Sequence, residues 1–172
     1  MEAEFRAWIV AFQGELRGRF IAIDGKSLRG SVDKANGKST LHMVHAWGRE
    51  YSMCLGQVIA DGKSNEITAI PKLLEALEIK GCVITIDAFA CQREIAQTIV
   101  NEGGDYCLAV KANQGNLHTD ISNHFADQMR DSFAGVKVSH HETNNKGHGR
   151  VEKRNYYVLP VPKEFGEAKK WS

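Results

Sequence analysis

No apolar run in this 172-residue chain approaches the ~20 residues of a membrane span, and no secretory signal pattern opens it. The expectation is a cytoplasmic protein without a membrane partner. An excess of one charge is also missing. The net charge of +1 singles out neither nucleic acid nor a membrane as partner, although charge can still cluster locally. The four cysteines, Cys54, Cys82, Cys91 and Cys107, lack metal-type spacing. Three lie in apolar strand-like runs, so buried free thiols are expected. No phosphate-loop or dinucleotide glycine motif supports a small-molecule α/β enzyme, and there is no internal repeat. What remains is an ordinary globular composition in a chain long enough for one domain with a substantial core.

Two short apolar runs, each ending in an aspartate, dominate the pattern. The first is Phe20-Ile21-Ala22-Ile23-Asp24, followed by Gly25-Lys26; the second is Cys82-Val83-Ile84-Thr85-Ile86-Asp87. Both read as interior strands buried on two faces. Period-2 geometry puts Asp24 on the face of Ala22 and Phe20, and Asp87 on the face of Thr85 and Val83. If the strands are parallel neighbours, the carboxylates converge. Converging carboxylates repel unless they share a proton or hold a cation, and oxygen-only ligation with open positions suits Mg²⁺ or Mn²⁺.

Around these runs the spacing predicts a helix over 2–17, with Phe5, Trp8, Ile9, Phe12 and Leu16 on one face, and a basic loop over 25–39. Strands follow at 41–47 and 51–60, joined by Gly48-Arg49-Glu50. Lys63-Ser64-Asn65-Glu66 opens a helix with Ile67, Ile70, Leu73, Leu74 and Leu77 inward and Pro71 as a complication. A helix over 92–102 buries Ile95, Ile99 and Val100, a buried strand covers 105–111, and a third helix carries Leu117, Ile121, Phe125 and Met129. Residues 136–141 and 150–160 form a polar two-stranded ribbon. The expected class is α/β: a mixed sheet of an antiparallel three-strand meander plus parallel strands, with flanking helices and a C-terminal β-ribbon.

Several motifs together resemble the catalytic domain of H-repeat-associated insertion-sequence transposases. They are Ile21-Ala22-Ile23-Asp24-Gly25-Lys26-Ser27-Leu28-Arg29-Gly30, Lys63-Ser64-Asn65-Glu66-Ile67, Thr85-Ile86-Asp87-Ala88, Gln92, Gly104-Asp105-Tyr106 with Lys111-Ala112-Asn113-Gln114, and His148-Gly149-Arg150-Val151-Glu152. The resemblance covers about residues 20 to 160 and implies a DDE transposase with an RNase H-like fold. It further implies metal-dependent DNA cleavage and strand transfer, with Mg²⁺ or Mn²⁺ as cofactor and element ends and target DNA as partners. Asp24 and Asp87 match the two aspartate positions of that family. Its third carboxylate, a glutamate in a His-Trp…Glu-Asn block, has no counterpart here.

The chain therefore reads as a central piece of a transposase. Residues 1–18 are a remnant helix, 19–135 the core, and 136–172 the ribbon insertion and a truncated tail. Such a piece is expected to be inactive alone; the alternative is a catalytically silent remnant that acts only in DNA binding or self-association. A helix missing from the core would leave an apolar patch, so a homodimer is a possible partner state. Glu152 is the candidate substitute for the third carboxylate, although Arg150, Glu152 and Arg154 alternate onto one ribbon face as a solvated ladder would. Lys26, Arg29, Lys63, Lys111, Asn113 and Gln114 are the candidate DNA contacts. His42 and His45, three apart on a strand, point to opposite faces, which argues against a zinc pair.

Overall fold

The computed structural model describes residues 4, 18–28, 31, 40–60, 66–147, 149–162, 165, 166, 170 and 171. The expected helix over 2–17 except residue 4, most of the basic loop, Arg29, Lys63 and His148 lie outside the described residues. Two compact units divide the chain: Met1–Gln114 with Trp171–Ser172, and Gly115–Lys170.

The first unit is built on a five-stranded mixed sheet. Strands β1 (Phe20–Leu28), β2 (Leu41–Gly48) and β3 (Met53–Ala60) form an antiparallel meander. Helix α1 (Glu66–Glu75) leads to β4 (Val83–Ile86), and α2 (Arg93–Asn101) leads to β5 (Asp105–Leu108). The spatial order is β3-β2-β1-β4-β5, with β1–β4 and β4–β5 parallel. This is the RNase H-like arrangement, and α-helical crossovers are what its parallel pairs require.

Burial explains the local choices. In β4 every residue is β-branched, which suits a pleated surface. Ile84 and Ile86 point into the core, while Val83 and Thr85 stay half-buried on the other face. In β1 Ile21 and Ile23 are buried, and Ala22 and Asp24 alternate outward. Both strands are thus buried on one face rather than two. Helices α1 and α2 supply that cover: Ile70, Leu73 and Leu74 join Ile95 and Ile99 in one cluster with Ile21, Ile23, Ile84 and Ile86. Pro71 sits inside α1. Its ring removes the hydrogen bond to the Ile67 carbonyl one turn back, and Ile67 is exposed.

Several expectations shift by a face or a few residues. Val100 is exposed, because Ile95, Ala96 and Ile99 define the buried side of α2. The fifth strand is short and half-exposed, as an edge strand can be, and its Cys107 is exposed; Cys82 and Cys91 are buried free thiols and Cys54 is half-buried. Helix α2 stops where Gly103 takes a φ of 75°, a left-handed turn that L side chains resist, and the Gly104 N–H caps the Ile99 carbonyl at 3.0 Å.

The largest difference concerns β1. It does not end at Asp24. It runs on to Leu28, pairing Gly25 with Val44, Lys26 with Met43, Ser27 with His42 and Leu28 with Leu41. At the far end the Ser31 hydroxyl donates to the Leu28 carbonyl at 2.6 Å and accepts from the Leu41 N–H at 2.7 Å, which joins the outgoing and returning strands.

The second unit holds α3 (Gly115–Arg130) and a hairpin of β6 (Ser139–Gly147) and β7 (Arg150–Val158). The hairpin is longer than expected: Asn144 to Gly147 pair within it, Gly147 with Arg150, and Gly149 has a φ of 75°. Tyr157 stacks between Phe133 and His140, at ring separations of 5.1 and 4.6 Å.

Ile84 is fully buried on the central parallel strand. Ile84→Ala should lower unfolding free energy by about 2–5 kcal/mol in a urea titration. A loss below about 1 kcal/mol would show that the helices do not depend on this strand.

Candidate active site

The site follows from the parallel register. Phe20 lies beside Val83, Ala22 beside Thr85, and Ile23 beside Ile86. There the β1–β4 ladder stops, and the next residue on each strand is an aspartate, Asp24 and Asp87. Neighbouring strands lie about 4.8 Å apart. Past this point the two strands diverge in role. β1 keeps its β2 partner, whereas β4 gives way to a 3₁₀ turn at Ala88–Ala90. A cleft of about 380 Å³ opens there, lined by both aspartates with Ala22, Thr85, Cys107 and Ala109.

Asp87 is held by its neighbours. The Lys111 ammonium donates to Oδ1 at 2.9 Å and Oδ2 at 3.2 Å. That hydrogen bond first, and the Ala88 backbone N–H second, keep the Asp87 carboxyl below the usual aspartate range. With Lys111 64% and Asp87 60% exposed, water screens the pair, so its contribution to stability is small and its larger effect is placement. The turn Ala112–Gln114 grips the segment after Asp87 from the same side. Asn113 Nδ2 donates to the Ala88 carbonyl and Gln114 Nε2 to the Cys91 carbonyl, each at 2.7 Å. Of the residues singled out for DNA contact, Asn113 and Gln114 therefore spend an amide donor on the protein itself.

Asp24 is exposed and makes no ion pair among the described residues. Lys26, two residues on and so on the same strand face, is exposed as well. Arg29 and Lys63 lie outside the described residues. Glu152 stands on β7 opposite Asn145 and pairs with Arg154 at 2.9 Å; it belongs to the second unit.

The donor set can be tested against a divalent cation. Two hard carboxylates on adjacent strand ends suit Mg²⁺ or Mn²⁺, which commonly bind through one or two carboxylates and complete their shell with water and phosphate. Lys111 already stands at Asp87 as a positive charge. Among the described residues no group of three or more His, Cys, Asp or Glu side chains could hold a metal. The residues fit a cation whose shell a substrate completes, and do not form a closed protein cage.

One polar cluster escaped the sequence. Glu66, at the start of α1, is 8% exposed. Its Oε1 lies 3.4 Å from His42 Nδ1, which is 3.0 Å from Ser27 Oγ. The carboxylate rests on Gly25, where an added Cβ would come within 2.6 Å of Oε2. Ser27 and Gly25 share the buried face of Ile21 and Ile23, opposite to that of Asp24. Glu66 is therefore no third ligand for the aspartate cleft. It fastens β1 immediately past Asp24. The available signal was His42, in phase with the buried Val44 and Ala46.

Comparison with known proteins agrees on one family. A model described as the transposase DDE domain matches residues 15–165. The chain is 44% identical over 164 residues to the putative transposase YncI of Escherichia coli K12, a match covering 95% of this chain and 65% of that protein. It is 41% identical over 166 residues to the H repeat-associated putative transposase YbfD of the same strain, covering 94% and 62%. A third relative there, the H repeat-associated putative transposase YhhI, is 44% identical over 150 residues, covering 84% and 38%. The chain thus spans less than two thirds of the length of each of these relatives.

The Asp87 pair has a pH signature. A carboxyl held below its ordinary value favours the folded state above the unfolded value of about 3.9, and that contribution disappears as pH falls through the lower folded value. Melting temperatures taken from pH 6 to pH 2 should therefore fall more steeply below about pH 3.9 in the wild type than in Asp87→Asn. Parallel curves would mean the ion pair does not persist in solution.

Proposed function

This chain belongs to the transposase DDE domain family, and we propose that its first unit is the part of such a transposase that holds a divalent metal and the DNA strand to be cut. The observation that carries this is the β1–β4 register, which ends both strands' shared ladder immediately before Asp24 and Asp87. In this reading Asp24 and Asp87 hold the cation, which is Mg²⁺ or Mn²⁺. When bound, it supplies Lewis acidity toward a phosphodiester oxygen. Asp24 and Asp87 supply the negative charge that keeps it at the cleft. Lys26, exposed beside Asp24, attracts the phosphate backbone of the entering strand. Arg29 and Lys63 extend that contact, and Lys111 lies at the cleft's rim.

A second reading is favoured by the donor count. Two carboxylates line the cleft, and among the described residues no group of three or more His, Cys, Asp or Glu side chains could hold a metal. The chain by itself then binds metal and DNA without cutting, and cleavage needs a further carboxylate. Glu152 is the candidate within this chain.

A nicking and strand-transfer assay with Mn²⁺ and DNA bearing insertion-sequence ends separates these readings. The chain alone should bind the DNA and leave it intact. Grafted in place of the matching residues of YncI, it should support cleavage, and Asp24→Asn or Asp87→Asn should reduce that about a hundredfold or more. Cleavage by the chain alone that Glu152→Gln abolishes would assign the third carboxylate to Glu152. Undiminished cleavage by the Asp87→Asn graft would overturn the proposal.

A further inference from the structure

We propose that Lys111 is the built-in counter-cation of Asp87, so that the Lys111–Asp87 ion pair and a divalent metal at Asp87 are mutually exclusive. This rests on the reading that Asp24 and Asp87 hold the metal. Three observations lead to it. First, Lys111 Nζ is within hydrogen-bond distance of both carboxylate oxygens, at 2.9 and 3.2 Å. An arriving cation competes with it for those two oxygens. Second, two positive charges on one carboxylate repel, and a compact divalent ion beside an ammonium gains less than it would alone. Third, the base of the lysine is fixed while its long side chain is exposed.

The Gln114 N–H donates to the Lys111 carbonyl at 2.9 Å. Asn113 and Gln114 bind the Ala88 and Cys91 carbonyls. The backbone of residues 111–114 is thereby tied to the segment after Asp87. The four-carbon stem of Lys111 can swing aside by rotamer changes alone, with the tied turn left in place. Metal uptake then exchanges one cation for another at a carboxylate that is already aimed. Without either cation, the Asp87 carboxylate would have no ion-pair partner among the described residues.

Mn²⁺ binding to the full chain without DNA, followed by the electron paramagnetic resonance signal of free Mn²⁺, tests this. The variants are Lys111→Gln, Asp87→Asn and the double substitution. Loss of a competing exposed ion pair corresponds to about two- to fivefold, so Lys111→Gln should bind Mn²⁺ more tightly by that factor. In the Asp87→Asn background the same change should have no effect, which separates direct competition from a general change in charge. Unchanged or weaker binding by Lys111→Gln, with binding still lost in Asp87→Asn, would overturn the exchange and leave the metal reading standing. Tightening that persists in the double variant would also overturn it. If neither the wild type nor Lys111→Gln shows Mn²⁺ binding that depends on Asp87, the metal reading itself fails and the exchange fails with it.

Discussion

Parallel pairing of β1 with β4 is the constraint on which the rest depends. It sets two distant chain segments in register over four residue pairs and stops one residue short of each aspartate. Both carboxylates line one cleft, where like charges call for a counter-cation. The fold meets that demand at Asp87 with a lysine delivered from beyond β5, and leaves Asp24 open to solvent. The helices on the far face make this arrangement rigid. Ile21 and Ile23 of β1 share a single buried cluster with Ile84 and Ile86 of β4, so neither strand can slip without exposing both pairs.

The two faces of β1 do different work past the ladder's end. On the open face stand Asp24 and Lys26. On the buried face, Gly25 admits the Glu66 carboxylate and Ser27 meets His42. A strand that has lost one neighbour would fray. Here the remaining neighbour β2, the Glu66–His42–Ser27 cluster and the Ser31 staple hold it through Leu28. A buried polar group is tolerable only when paired, and the buried Glu66 meets His42, which in turn meets Ser27. The backbone carrying Asp24 is therefore anchored from behind, as the segment carrying Asp87 is anchored by Asn113 and Gln114.

Much of this was legible in the sequence. Apolar runs ending in Asp24 and Asp87, the meander, the alternation with helices and the polar hairpin follow from periodicity and turn chemistry. The continuation of β1 was not legible. Gly25-Lys26-Ser27 has the composition of a loop, and pairing with β2, a tertiary effect, overrides it. Glu66 read only as the acid of a helix start, because nothing local shows that Gly25 leaves room for it. Lys111, Asn113 and Gln114 carry groups equally suited to phosphate or to protein carbonyls. Only the proximity of residues 87–91 shows the bonds they make here. Val100 and Cys107 misled for the reverse reason: apolar character does not tell which side of a helix or which strand of a sheet is covered.

The central claim is that Asp24 and Asp87 serve one divalent cation. Paramagnetic broadening of backbone amide resonances by substoichiometric Mn²⁺ addresses it most directly, since the effect falls off steeply with distance. The account predicts that resonances at Asp24 and Gly25 and at Asp87 and Ala88 broaden together and first. Broadening confined to one of these two segments, or centred on His140 and His141 of the hairpin, would contradict it.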